Sequence, residues 1–357
     1  MTSSPVRYSP ELEEFRPDED EVVSGLNDAF DVILKRTADD YGHAVRSVHA
    51  KAHAILKGRM RVEDGLSPEL AQGLFAHPGN YDVFMRLSTN AGDILPDTIA
   101  LPRGIAVKVV GVSGERLEGA AGETQDFVMV NGPVFQAPNA KKFLSNLKML
   151  AKTTDRMEGT KEVLSSVLQV ANKGLEAVGL ASPKVQSLGG APNVDPLGET
   201  YFSVTPFRYG EYVAKFRLKP VAHGLLELEG REIDTSVGDN AIRDTVRAEM
   251  QDIRGEWEFQ VQLCRDIEKQ PVEDPTVEWD EEEAPFATVA RIFVEPQDSW
   301  SEEQVSTVDE RMRFSVWTGL KDHQPLGNIN RARKVPYEHS SRFREAFNGC
   351  PIHEPRR

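Results

Sequence analysis

The sequence predicts an α+β protein built on an eight-stranded antiparallel β-barrel with inserted and C-terminal α-helices. Three observations lead to this prediction. Eight short runs alternate apolar and polar residues and are rich in Val, Phe and Tyr, which is typical of strands. A helical segment divides the runs into two groups of four, as in a barrel that carries an inserted helix. Residues 1–20 are polar, so we expect a flexible tail there. No linker interrupts the pattern after them, so we expect a single domain at residues 21–350.

The composition excludes several classes of function. An apolar fraction of 39% is enough for a globular core, and the net charge of −15 disfavours binding to nucleic acids or anionic membranes. The sequence has no run of 18 apolar residues and no basic segment followed by an apolar stretch at its start, so we expect a cytoplasmic protein. The two cysteines, Cys264 and Cys350, belong to no metal-binding or redox motif.

The first group of elements lies in the N-terminal part of the chain. Residues 21–56 have helical spacing, and their apolar residues fall on one stripe. The stripe consists of Val22, Val23, Leu26, Phe30, Ile33 and Leu34. Four predicted strands follow at residues 58–62, 81–88, 104–112 and 124–131.

The second group of strands follows a helical insert at residues 138–180 and a loop rich in Gly and Pro at residues 181–199. These strands are predicted at residues 200–207, 211–220, 257–264 and 286–296. Further helices are predicted at residues 238–253, 301–314 and 330–347. Ser301 is a suitable N-cap for the second of them.

The last predicted helix contains the segment "RARKVPYEHSSRFR" (331–344). Because each helical residue advances by about 100°, Tyr337 lies about 40° and Arg344 about 20° from Arg333. The three side chains should therefore point the same way, with a guanidinium group on either side of the phenol. Pro336 must bend this helix or lie in its first turns.

Three histidines, His43, His49 and His53, are close together in the sequence. Histidines at helical spacing can bind zinc, so a metal-dependent enzyme is one hypothesis. However, no Glu lies between His49 and His53 as in an HExxH motif, and no further ligand follows at a known spacing. We interpret His43 and His53 as partly exposed polar residues on the last turn of a helix.

Four motifs around and after His49 resemble those of the haem catalase superfamily, and they occur in the same order. They are "RSVHAK" with Arg46 and His49, "RLSTNAG" with Arg86 and Ser88, "PRGIAVK" at 102–108 and "NGPVF" at 131–135. Because the chain is shorter than typical catalases, it looks like the small catalase-related branch of that superfamily.

The resemblance implies a haem b cofactor with His49 on its distal side. Peroxide chemistry needs a base that takes a proton from one oxygen and returns it to the other, and neutral histidine can do this. Ser88 would hydrogen-bond the other ring nitrogen and fix its tautomer. The motif "NGP" is one residue shorter than the family's Asn-Asn-Thr-Pro, so the family's distal Asn aligns with Val130. We assign that role to Asn131, the neighbouring amide.

For the C-terminal segment, the resemblance implies that Tyr337 is the iron ligand. The family places an Arg four residues before this Tyr and further arginines five and seven residues after it, which match Arg333, Arg342 and Arg344. A phenol has a pKa of about 10, and a neighbouring guanidinium favours its phenolate form. The haem propionates would be bound by Arg46, Arg86 and Arg344, because Arg pairs with carboxylates bidentately.

These features predict a haem-dependent enzyme that decomposes or reduces hydrogen peroxide or organic hydroperoxides with a small-molecule electron donor. The family also implies a dimer or tetramer. Asn90 replaces an apolar residue that narrows the family's peroxide channel, which favours bulkier substrates. The alternative is a non-enzymatic barrel that binds haem or another small ligand. Rearrangement of hydroperoxides, as in allene oxide synthases, is disfavoured because Val48 occupies the position of the threonine that precedes their distal histidine.

Overall fold

The barrel consists of antiparallel strands in the computed structural model of the chain, which describes residues 3–154 and 192–356. The strands are β1 (Ala52–Val62), β2 (Asn80–Thr89), β3 (Arg103–Val110), β4 (Thr124–Val130), β5 (Tyr201–Phe202), β6 (Phe207–Tyr209), β7 (Tyr212–Pro220), β8 (Gly255–Leu263) and β9 (Phe286–Val294). Their hydrogen-bonded order is β5-β4-β3-β2-β1-β9-β8-β7-β6, and β5 also pairs with β7. The β5–β7 pairing closes eight strands into a ring and leaves β6 as an added partner of β7. The predicted eight-stranded antiparallel barrel is confirmed.

Alternation along the strands separates the inside of the barrel from its outer face. The inside is filled by aliphatic side chains and by a cluster of rings with centroids 4.6 to 6.3 Å apart. The ring cluster contains Phe75, Phe127, Tyr209, Phe216 and Phe259. On the outer face, β3 presents Gly104, Ala106 and Lys108, which alternate with the buried core residues Ile105, Val107 and Val109. The outer face of β2 to β4 is where the site is built.

The described residues also form helices. They are α1 (Glu19–Tyr41), α2 (Ala140–Thr154), α3 (His223–Leu226), α4 (Ala241–Glu249), α5 (Glu302–Gln304) and α6 (Asn328–Asn348). The apolar stripe predicted for α1 packs against α2 and α6 through Leu26, Leu144 and Ile329. Glycines in the left-handed conformation, Gly42 and Gly349, end α1 and α6. Helix α6 continues through Pro336.

Several predicted boundaries were wrong. Residues 52–56 were predicted to be helical, but they form the first half of β1, because a short apolar run is compatible with either structure. The strand predicted at residues 200–207 is divided into β5 and the start of β6. Ser301 does cap a helix, with a capping box to Gln304, but α5 is short and continues as a π-helical turn at Val305–Asp309. The helix predicted over residues 161–180 lies outside the described residues.

The beginning of the chain, predicted to be a flexible tail, contacts the barrel in the structure. The amide of Val6 donates to the carbonyl of Cys264, and that of Tyr8 donates to the carbonyl of Glu211. Further on, Arg331 of α6 forms ion pairs with Glu13 at 2.7 Å and with two other glutamates, Glu19 and Glu273. These contacts join the beginning of the chain to the barrel and to α6. The single domain predicted at residues 21–350 stays a prediction.

Candidate active site

His49 precedes β1 in a left-handed conformation, with a φ angle of 53°. Its imidazole lies directly on Gly104 of β3, where an added Cβ would come within 2.5 Å of Cε1 of the ring. Gly104 is therefore required at this position, since any side chain would displace the ring. The ring atom Nδ1 lies 3.1 Å from the hydroxyl of the buried Ser88. No other partner of the His49 ring occurs among the described residues, which leaves Nε2 available for chemistry.

The electrostatic surroundings keep His49 neutral. Burial lowers the pKa of the imidazole, and the positive charges of Arg86, Arg333 and Arg46 lower it further, to about 3. Around neutral pH the imidazole is therefore uncharged, with one ring nitrogen protonated and the other able to accept a proton. With the Nδ1–H tautomer donating to Ser88, Nε2 is the basic nitrogen.

The neighbours of His49 on the outer face follow from the strand register. Ser88 pairs with Gly104, and Gly104 pairs with Val130, so these residues form one row with their side chains on the same face. The next row contains Arg86, Ala106 and Val128. Val130, Ala106 and Val128 are only partly buried. The surface on the β4 side of the imidazole is therefore apolar, whereas the β2 side carries Arg86.

The predicted role of Asn131 does not fit its contacts. Its Oδ1 accepts a hydrogen bond from the backbone N–H of Arg103 at 2.8 Å, and its Nδ2 donates to Glu199 at 2.7 Å. Because successive side chains along a strand alternate, Asn131 points to the face opposite Val130. Val130, which aligns with the family's distal Asn, occupies the position beside His49.

Helix α6 brings the phenol and its guanidinium together, as the spacing predicts. Nη2 of Arg333 donates to the hydroxyl of Tyr337 at 3.0 Å, and its guanidinium carbon lies 5.1 Å from the centre of the ring. The charge of Arg333 also lowers the pKa of His49. One turn beyond Tyr337, the hydroxyl of Ser340 accepts a hydrogen bond from the amide of Ser47 at 3.2 Å. This contact joins α6 to the segment that carries His49.

Three arginines converge beyond His49, and their partner was missed by the sequence analysis. Arg46 and Arg86 both donate to the same carboxylate oxygen of Asp309, at 2.6 and 2.8 Å. Arg344 donates to the backbone carbonyls of Asp309 and Glu310 at 2.8 and 2.7 Å. Burial raises the pKa of Asp309, but the three arginines outweigh it and hold this pKa well below its usual range. No sequence pattern indicates Asp309, which lies 223 residues from Arg86.

Arg342 does not belong to this cluster. Its side chain is 78% exposed and pairs with Glu338 on the surface of α6 at 3.3 Å. Arg342, five residues after Tyr337, therefore points away from the cluster, whereas Arg344, seven residues after Tyr337, belongs to it.

The interpretation of His53 was wrong, whereas His43 is partly exposed as predicted but lies just after the end of α1. His53 is fully buried at a bulge in β1, and neither of its ring nitrogens has a hydrogen-bond partner. His43 follows α1 and pairs with Glu310 at 2.8 Å. Over residues 3–154 and 192–356, no group of three or more His, Cys, Asp or Glu side chains could hold a metal ion. The hypothesis of a three-histidine metal site therefore has no support in the described structure.

Comparison with known proteins identifies the family. The family model that describes catalases matches residues 43–308, about three quarters of the chain. The chain belongs to the catalase family. The match includes His49, Ser88 and the segment up to the π-helical turn, but it ends before Tyr337. None of the curated proteins compared matches the chain.

Solved catalases share the fold. Catalase A from Saccharomyces cerevisiae matches at 17% identity with a TM-score of 0.64, over 88% of this chain and 64% of its own. A fungal catalase matches at 15% identity with a TM-score of 0.61, over 90% and 66%. A bacterial catalase matches at 15% identity with a TM-score of 0.60, over 90% and 63%. This catalase-family chain spans less than two thirds of the length of each of them.

The described helices include no membrane span. None of those in residues 3–154 and 192–356 combines the length and the apolar character needed to cross a bilayer.

Proposed function

We propose that this member of the catalase family binds one haem b between His49 and Tyr337 and uses it to decompose or reduce peroxides. The observation that carries the proposal is a neutral imidazole with an available Nε2, on a segment hydrogen-bonded to the helix that carries a phenol paired with a guanidinium. The family match alone supports only peroxide chemistry in general, because it ends before Tyr337.

The charges of the site fit a porphyrin with two propionates. Arg46, Arg86 and Arg344 carry three positive charges, and Asp309 supplies one negative charge against them. These four side chains therefore retain two positive charges, which two propionates would neutralise. Arg46 and Asp309 are 14% exposed, so an entering carboxylate can reach them.

The donor set also fits ferric iron. Tyr337 is half-buried, and Arg333 at 3.0 Å would stabilise its phenolate. An anionic oxygen ligand favours Fe(III) and suits peroxide chemistry. When bound, the haem would supply the redox chemistry that breaks the O–O bond.

The side chains of this protein would supply the proton transfers and the orientation. His49 would accept a proton from the peroxide at Nε2 and return it to the leaving oxygen. Ser88 would hold the ring by its Nδ1 atom, and Gly104 leaves room for the ring against β3. Arg333 would hold the charge of Tyr337, and the arginine cluster would orient the propionates.

The proposal is tested by turnover of the haem-loaded protein. Oxygen evolution from hydrogen peroxide should be compared with peroxide-dependent oxidation of a phenolic donor, which separates catalase from peroxidase activity. His49→Gln should keep the Soret band but lose about 100-fold or more in turnover, because a positioned acid–base contributes that much. The matched control is His77→Gln, because His77 is exposed and should leave turnover unchanged.

Two results would overturn the proposal. Turnover by His49→Gln at the wild-type rate would remove the imidazole from the chemistry. A haem-loaded wild-type protein without any peroxide turnover would favour the alternative, a barrel that binds haem without catalysis. The predicted dimer or tetramer is tested separately, by light scattering on the purified protein.

A further inference from the structure

Lys215 lies on β7 with its side chain on the outer face of the barrel, because its neighbours Ala214 and Phe216 belong to the inner core. Only 4% of the residue is exposed. Its amine can donate three hydrogen bonds, but Nζ has a single acceptor among the described residues, the carbonyl of Val277 at 3.2 Å. Lys215 is therefore a buried amine with unused donors, and the proposed peroxide chemistry does not involve it.

The amine of Lys215 lines a pocket with aromatic walls. Nζ lies 4.7 Å from the centre of the Trp279 ring, and Phe202 and Phe286 also line the pocket. The pocket has about 300 Å³ of space, part of which is open to solvent. A small molecule with a short apolar body can therefore approach the amine against these rings.

Two carboxylates line the same pocket. Glu278 and Glu281 are both exposed, and Glu281 pairs with Arg217 at 2.7 Å. The pocket therefore combines a buried amine with acidic groups that are in contact with solvent. Because like charges repel, these carboxylates disfavour anionic ligands, and neutral ligands suit the pocket better.

The surroundings of Lys215 favour the uncharged amine. Burial lowers the pKa of Lys215 to about 8, against the opposing effects of Glu278, Cys264 and Asp274. At pH 7 about one molecule in ten then carries the free amine, compared with fewer than about one in a thousand for a lysine of ordinary pKa. The free amine is a nucleophile, and desolvation is one of the ways in which proteins activate lysine.

Trp279 supplies a hydrogen-bond donor in the same pocket. Its Nε1 is buried and has no hydrogen-bond partner among the described residues. An unpaired buried donor is unfavourable, so an acceptor beside it would be stabilised. Because Nε1 belongs to the ring on which the amine of Lys215 lies, a nucleophile and a donor for a carbonyl oxygen are neighbours here.

We propose that Lys215 forms an imine with small neutral aldehydes that enter this pocket. The nitrogen of the amine attacks the carbonyl carbon while Trp279 donates a hydrogen bond to the carbonyl oxygen. The carbinolamine then loses water, because the oxygen leaves with the two hydrogens of the amine and a C=N bond replaces the C=O bond. No oxidant or reductant is needed for this step. The inference goes beyond the proposed function and does not depend on it.

The test incubates the full-length protein with butanal, traps the imine with sodium cyanoborohydride and locates the modified lysines by peptide mass spectrometry. At pH 7 Lys215 should react about tenfold or more faster than Lys219, which lies on the same face of β7 but is exposed. The rate at Lys215 should rise with pH, with a midpoint near pH 8.

Two variants separate the amine from its surroundings. Lys215→Arg keeps a positive charge and a donor for Val277 but cannot form an imine, so the fast phase of modification of the intact protein should disappear. The matched control, Lys219→Arg, should keep that phase. Glu278→Gln removes an exposed charge that favours the protonated amine, so the midpoint for Lys215 should shift to lower pH.

Several results would overturn the inference. They are a fast phase that persists in Lys215→Arg, reaction of Lys215 no faster than that of Lys219, and a midpoint near pH 10 as for an ordinary lysine. Faster reaction of Lys215 relative to Lys219 with glyoxylate, an anionic aldehyde, than with butanal would also overturn it. Peroxide turnover should be the same in Lys215→Arg and wild type, so the proposed function is judged by a different assay.

Discussion

Replacing Asp309 by Asn should strongly destabilise the haem-free protein. The substitution keeps the shape of the side chain but removes the negative charge that Arg46 and Arg86 share at 2.6 and 2.8 Å. Removing one partner of a buried ion pair costs about 3–5 kcal/mol. Because Asp309 and Arg46 are 14% exposed and Arg86 is 3% exposed, we expect the lower end, about 3 kcal/mol.

Urea unfolding of the two haem-free proteins measures this difference. The pKa of Asp309 is lower in the folded protein than in the unfolded chain, so its stabilising effect is complete above about pH 4. As the pH falls below that value, Asp309 becomes protonated more readily in the unfolded chain, and the wild type loses its advantage. The difference between wild type and Asp309→Asn should therefore be largest near neutral pH and shrink towards pH 3.

The matched control is Asp82→Asn. Asp82 pairs with Arg59 at 3.3 Å, but the two side chains are 63% and 75% exposed, so we expect a change of at most about 0.5 kcal/mol. Saturating haemin should stabilise Asp309→Asn more than the wild type, because the propionates replace the missing negative charge. An Asp309→Asn protein as stable as Asp82→Asn would refute the reasoning about the arginine cluster.

Three other predictions concern the site and its support. Because the pKa of His49 is lowered to about 3, kcat/KM for peroxide should stay level between about pH 5 and 8, and an acid limb near pH 6.5 in stopped-flow measurements would contradict this. Tyr337→Phe should weaken haemin binding about tenfold or more in absorbance titrations, whereas the same change at Tyr212 should not. Glu354→Gln leaves the buried Lys108 with a single carboxylate partner, Asp126, and should cost about 2 kcal/mol in urea unfolding at neutral pH; equal stability would refute a structural role of this contact.

The fold was predictable because the strands of a barrel have a simple sequence pattern, in which apolar and polar residues alternate. Strands such as β3 and β8 alternate between a packed interior and an outer face, and this period of two is visible without a structure. The beginning of β1 was not predictable, because four of the five residues of "AHAIL" are apolar and such a run fits a helix as well as a strand. His53 was misjudged for the same reason, since its burial follows from the strand assignment.

The contact between Arg333 and Tyr337 was predictable, because the two residues are four positions apart on one helix. The assignment of Asn131 failed because a shift of one residue moves a side chain to the opposite face of a sheet, and only the register with Gly104 shows that Val130 faces His49. Asp309 could not be found, because its partners come from distant segments that only the folded chain brings together.

The central claim, a haem held between His49 and Tyr337, is tested most directly by titrating the purified haem-free protein with haemin. We predict saturation at one haem per chain, with a Soret band and the high-spin ferric spectrum of a tyrosinate ligand, and loss of that spectrum in Tyr337→Phe. A protein that takes up no haemin, or a Tyr337→Phe variant with the wild-type spectrum, would contradict the claim.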